Sequence, residues 1–194
     1  KHIPAILIQW YAGEQEGSSI ANILFGKTNP SGHLTVSFPQ SSGHLPDYYN
    51  YLPTDRGFYH KPGSYEQPGR DYVFSSPGPL WAFGHGLTDT TFNYTDMQIQ
   101  QSVDSIKVFV TVKNTGRWAG KAVPQLYVRD VFSSISTPVK QLKAFNKVAL
   151  EPGETTRVPL HFAVQDLALT DEAGKTMVEP GSFEIMIGDA SGCS

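Results

Sequence analysis

Between Phe92 and Ala190 apolar and polar residues alternate in short runs, each closed by a turn signal, and an alternation of period two builds half-buried strands rather than helices. Ile106-Lys107-Val108-Phe109-Val110-Thr111-Val112 alternates and ends at Asn114-Thr115-Gly116. A second run lies in Ala122 to Val131, with Val123, Leu126, Tyr127 and Val128, and a third in Lys140 to Leu150, closed by Glu151-Pro152-Gly153-Glu154. Thr156 to Phe162 alternates again. After the turn Val178-Glu179-Pro180-Gly181, Ser182 to Gly188 supplies a last strand.

About seven short strands in roughly 100 residues predict an immunoglobulin-like or fibronectin type III-like sandwich. The cysteine pair and core tryptophan of antibody domains are missing, which favours the fibronectin type III-like form. The single cysteine, Cys193, excludes an internal disulfide and a cysteine-based zinc cluster. Hydrophobic residues at 39% and charged residues at 17% describe a globular chain, and no apolar run approaches a membrane span. A formal charge of −3 gives no reason to expect nucleic acid.

The first 40 residues are of another kind. Ala5-Ile6-Leu7-Ile8 is apolar on both faces and reads as an interior strand of an α/β sheet. Gly13 to Gly17 makes a turn, Ser18 or Ser19 caps a helix through about Phe25, and Gly26 stops it. Leu34 to Phe38 reads as a second strand, ended by Pro39. One strand with one helix cannot cover both faces, so residues 1–40 are expected to be a piece of a larger α/β sheet domain. In residues 41–90 aromatic rings, among them Tyr48, Tyr49, Tyr51, Trp81 and Phe83, mix with Pro and Gly without a period. They predict an interdomain linker clamped by rings. Residues 91–194 are the expected sandwich. The fold expected is therefore mainly β, with a partial α/β segment and an aromatic-rich linker before the sandwich.

Local chemistry is sparse. Glu14 and Glu16 stand where an α/β strand gives way to a helix, a place where ligands bind. Two positions apart, they diverge on entering the helix, and acids there are favoured by the helix dipole in any case. The same loop's Trp10 and Tyr11 can stack on a sugar ring or pack in a domain seam. Arg70-Asp71 reads as an ion pair fixing the linker. His33, His44, His60 and His85 lack zinc-ligand spacing and read as surface or turn residues, and no metal or cofactor is expected. Asn93-Tyr94-Thr95 is a glycosylation sequon, a motif that arises often by chance.

Several longer stretches, in order, resemble glycoside hydrolase family 3. Gly26-Lys27-Thr28-Asn29-Pro30-Ser31-Gly32-His33-Leu34-Thr35-Val36-Ser37-Phe38-Pro39 is similar to the segment after the last helix of that family's second domain, and Trp10 to Gly17 to the turn before it. Pro79 to Leu87 resembles the motif leading into its third domain. Val112-Lys113-Asn114-Thr115-Gly116, Gln125 to Val128, Leu142 to Phe145, Pro152-Gly153-Glu154 and Glu179-Pro180-Gly181 continue the likeness. Thr35 departs from the family's usual proline, and Thr88-Asp89-Thr90 from its serine-tyrosine-threonine.

The resemblance implies a retaining β-glycosidase with a (β/α)8 domain bearing an aspartate nucleophile and an α/β domain supplying the acid/base glutamate. Two such carboxyls stand about 5–5.5 Å apart. Both precede Ala5 in the family order, so no catalytic residue is assigned in this chain. Trp10, Tyr11, Glu14 and Glu16 are the candidate substrate-lining residues. The expected partners are the upstream catalytic domains and a β-linked glycoside or oligosaccharide, with β-glucosidase ahead of β-xylosidase, and a periplasmic or secreted location. A carbohydrate-binding module and a purely structural sandwich are the alternatives.

Overall fold

The computed structural model describes residue 3, residues 5–53, residue 66 and residues 78–192. Their regular elements are helix α1 (Glu16–Leu24) and strands β1 (Phe92–Gln101), β2 (Ser105–Asn114), β3 (Gly120–Ala122), β4 (Gln125–Asp130), β5 (Gln141–Phe145), β6 (Val148–Leu150), β7 (Thr155–Ala163), β8 (Leu169–Thr170), β9 (Thr176–Met177) and β10 (Phe183–Gly188), with short 3-10 turns at Ser42–His44 and Val164–Leu167.

Two antiparallel three-stranded sheets form the sandwich, one ordered β1-β2-β7 and the other β10-β4-β5. Strands β3 and β6 pair at its end, and β8 and β9 make a small hairpin. The alternation in β2 decides which side chains enter the core. Ile106, Val108 and Val110 face inward opposite Phe162, Leu160 and Val158 of β7. Leu126 and Val128 of β4 meet them from the other sheet, with Phe183, Ile185 and Ile187 of β10 packed alongside. Each such burial contributes about 1.5–3 kcal/mol, which makes this layer the main source of stability. The fibronectin type III-like sandwich expected from the period is the fold observed.

Strand β4 departs from alternation. Gln125, Leu126, Tyr127 and Val128 are all buried, so both faces of the central strand are covered. Leu126 and Val128 point into the core. Gln125 and Tyr127 point the other way, against chain from residues 33–53 and 83–84. The second sheet is thus the one covered by chain from the first half of the sequence.

Several local expectations are corrected. Residues 5–10 form no strand, and Ile6 and Leu7 are exposed. A strand exists only through a ladder partner, and no described residue supplies one. Leu34 to Phe38 bends at Thr35 and Val36 and keeps a single bridge, Phe38 to Trp81, because its bonds to residues 80–85 are too sparse for a ladder. Helix α1 starts at Glu16 instead of at a Ser18 or Ser19 cap, its N-cap Gln15 making no side-chain bond. The turn at Gly13 already delivers Glu16 N–H to Gly13 O at 3.0 Å, and Glu16 meets the positive end of the helix dipole. Gly26 does end the helix, with φ 69°. The run from Lys140 to Leu150 divides into β5 and β6, which join different sheets. The β8–β9 hairpin carries only two residues per strand, too short for any period to announce it.

Candidate functional site

The junction between the linker and the sandwich is held by two buried amides. Asn114, at the end of β2 and wholly buried, uses all four of its hydrogen-bonding positions. Its Oδ1 accepts from Thr90 Oγ1 at 2.7 Å and from Gly116 N at 3.0 Å. Its Nδ2 donates to Trp118 O at 2.8 Å and Leu150 O at 3.0 Å. Asn29 repeats the device outside the sandwich, accepting from Thr88 Oγ1 and Asp89 N and donating to Ala119 O. Thr88-Asp89-Thr90, the segment that departs from the family pattern, therefore still supplies the bonds that fix this seam.

Gln125 is the second amide. Its Nε2 donates to Gly84 O at 3.1 Å and Asp189 O at 2.8 Å, and its Oε1 accepts from Tyr127 Oη at 2.6 Å. Gly84 has φ 82°, and a Cβ there would stand 2.1 Å from Gln125 Oε1, so only glycine fits. His33, read from sequence as a surface or turn residue, is half-buried here with Nδ1 2.5 Å from Gly84 O. His44 is half-buried as well, bonded to Ser41 Oγ at 2.8 Å.

Rings complete the clamp. Tyr49 stacks on Phe83 at 4.2 Å and meets Tyr127 edge-on at 6.0 Å, while its hydroxyl accepts from Leu142 N. Trp81 packs edge-on against Phe38 at 5.5 Å, and Phe38 against Trp10 at 6.3 Å. A line of three rings thus runs from the linker to the loop holding the candidate site. Phe58, Tyr59, Tyr65, Tyr72, Phe74, Arg70-Asp71 and His60 lie outside the described residues.

Of the four candidate residues, Trp10 is tied to Phe38 yet remains 56% exposed, and Tyr11 is fully exposed. Glu14 sits in the turn and Glu16 in the first turn of α1, both exposed and in no ion pair among the described residues. They do not face one another across a cleft. Beside them Gln9 Nε2 is buried without a hydrogen-bond partner among the described residues. The cavity between Val128, Asp130, Lys143 and Leu169 measures about 50 Å³, room for a few waters and not for a sugar ring. Lys143 donates to Gln141 Oε1 and Asp166 O there, and burial draws its pKa down. Among the described residues no cluster of His, Cys, Asp or Glu has metal-binding geometry, and no helix is long and apolar enough to cross a membrane. Sequence reading missed Asn29, Asn114 and Gln125: the first two were legible only as turn residues and the third only as part of a strand.

A sandwich with a ring-and-amide seam on one sheet and a helix-bearing segment before it defines a fibronectin type III-like domain with further chain packed on one face. Residues 122–191 match the fibronectin type III-like domain model, and residues 1–88 match the glycosyl hydrolase family 3 C-terminal domain model. The chain belongs to glycoside hydrolase family 3, as a C-terminal part of such a protein. It is 41% identical to the periplasmic beta-glucosidase of Salmonella typhimurium over 95% of its own length and 24% of that protein's. It is 36% identical to a beta-xylosidase of Formosa agariphila, over 98% of its length and 26% of the relative's. Among solved structures, the beta-glucosidase of Listeria innocua in complex with gluconolactone superposes with a TM-score of 0.86 at 35% identity, covering 95% of this chain and 26% of that one. The chain thus spans about a quarter of the length of these relatives.

Proposed function

We propose that the whole protein is a retaining β-glycosidase acting on terminal β-D-glucosyl residues, with the two catalytic carboxyls outside this chain. The observation that carries the reading is the uncovered apolar surface of the first residues: Ile3, Ile6, Leu7, Trp10, Tyr11, Leu24 and Phe25 are all exposed. A surface of that kind marks an interaction site. In a chain similar over nearly its whole length to β-glucosidases four times longer, upstream catalytic domains of the same protein are the partner that fits it. The division into an α/β segment at 1–40, a linker at 41–90 and a sandwich at 91–194 follows from this reading. So does a wall of the sugar pocket formed by Trp10 and Tyr11, with Glu14 and Glu16 at its rim. A periplasmic or secreted location accords with the relative named as periplasmic. The beta-xylosidase relatives keep β-xyloside as the second substrate class.

The test is the full-length enzyme with p-nitrophenyl β-D-glucoside and β-D-xyloside, the product anomer followed by NMR. Faster turnover of the glucoside with retained configuration is expected. Trp10→Ala should raise KM about tenfold, the loss of one stacked ring, with a smaller change in kcat. An inverted product, or a Trp10→Ala enzyme with unchanged KM, contradicts the respective part of the reading.

A further inference from the structure

The two outer faces of the sandwich are not alike. The β10-β4-β5 face is covered by residues 33–53 and 83–84, whereas the outward side chains of β2 and β7 are exposed or half-buried. On β2 the outward positions include Lys107 and Lys113, both exposed, and on β7 Arg157 and His161, also exposed. The register sets Lys107 directly beside His161, and Arg157 beside Thr111, four residues along β2 from Lys107 and two from Lys113. No carboxylate occupies an outward strand position of β2 or β7. The nearest acids in sequence are Asp96, in the bulge of β1 between Thr95 and Gln98, Asp104 in the β1–β2 turn and Glu154 before β7. In a chain of net charge −3 the outward charges of β2 and β7 are thus cationic, and none of these cations joins an ion pair among the described residues.

Arg157 is also held in place. Its guanidinium lies 4.5 Å from the centre of the Phe109 ring, and Nη2 donates to Gln98 Oε1 at 2.5 Å. A ring beneath and an amide beside fix the plane of the fork, which lowers the entropy lost when it grips a carboxylate. Gln98, Gln100 and Asn93 of β1 line the other edge of the face, opposite Phe109, Lys107 and Lys113. Amides there both donate and accept, the capacity that sugar hydroxyls require. Lys107 and Lys113 are six residues apart, roughly 20 Å along the strand at about 3.4 Å per residue. The charges are thus spaced for a linear polyanion and not for a single ion.

We propose that this face binds an acidic polysaccharide, one carrying uronate carboxylates and free hydroxyls, at a site separate from the sugar pocket and independent of the reading given above. Nucleic acid fits less well: single-stranded forms bind on successive stacking rings, and Phe109, the aromatic at an outward position of β2, is already capped by Arg157.

The test is native gel electrophoresis of the full-length protein in gels containing sodium polygalacturonate, laminarin (a neutral glucan) or duplex DNA. Retardation by polygalacturonate alone is expected, weakened at least tenfold in Kd in the Lys107→Gln/Lys113→Gln/Arg157→Gln variant and abolished at 0.5 M NaCl, where the Debye length falls to about 4–5 Å. Thermal melting checks that the variant is folded; if it is not, the single exposed substitution Lys113→Glu takes its place and should lower affinity in the same direction. No retardation by polygalacturonate, equal retardation of variant and parent, or equal retardation by laminarin or DNA would each overturn the proposal.

Discussion

Asn114 shows how one residue joins two parts of the molecule. Its side chain has no solvent contact and no spare hydrogen-bonding position, so truncation leaves Thr90 Oγ1, Gly116 N, Trp118 O and Leu150 O without their partner. Each buried group so orphaned costs about 1–3 kcal/mol, less where water can enter. Asn114→Ala should therefore destabilise the sandwich by about 3 kcal/mol, read as a lowered midpoint in urea unfolding with an unchanged slope. A loss below 1 kcal/mol would show that the seam relaxes around the gap. Nothing in the tripeptide Asn114-Thr115-Gly116 distinguishes this hub from an ordinary turn, because the four partners come from residues 90 to 150, brought together only by the fold.

At the scale of elements, legibility followed the source of each element's order. Strands β2 and β7 were readable because their own alternation decides which face is buried, and the cross-strand register merely completes it. Ala5 to Ile8 was misread as a strand because apolar content was taken for pairing, and Leu34 to Phe38 because alternation was, whereas pairing is a property of neighbours. The start of α1 was misplaced by looking for a side-chain cap where a glycine turn and an acidic first turn suffice. The clamp was legible as ring-rich composition, but not the order in which the rings meet. That order matters: Trp81, Phe38 and Trp10 form the line linking the sandwich seam to the candidate loop. Trp81→Ala should speed hydrogen exchange across residues 33–38 at least tenfold while β2 and β7 exchange as before, since the core packs without it. Equal acceleration in β2 would mean that the clamp and the core unfold as one unit.

On the scale of the whole molecule, one sheet of the sandwich is turned to the linker and the other outward. The loop with Trp10, Tyr11, Glu14 and Glu16 is tethered at one ring and otherwise bare. The candidate site was legible in the sequence as two acids and two rings where an expected strand gives way to a helix, but the residues that face them were not, since the chain spans about a quarter of its relatives' length. On the proposed reading, catalysis lies outside these residues, which brace the catalytic domains and line the sugar pocket. The most direct measurement compares hydrolysis of p-nitrophenyl β-D-glucoside by the full-length protein and by residues 1–194 alone at equal concentration. Turnover by the first and none by the second is the predicted result. Turnover by the 194 residues alone that disappears in Glu14→Gln or Glu16→Gln would contradict it.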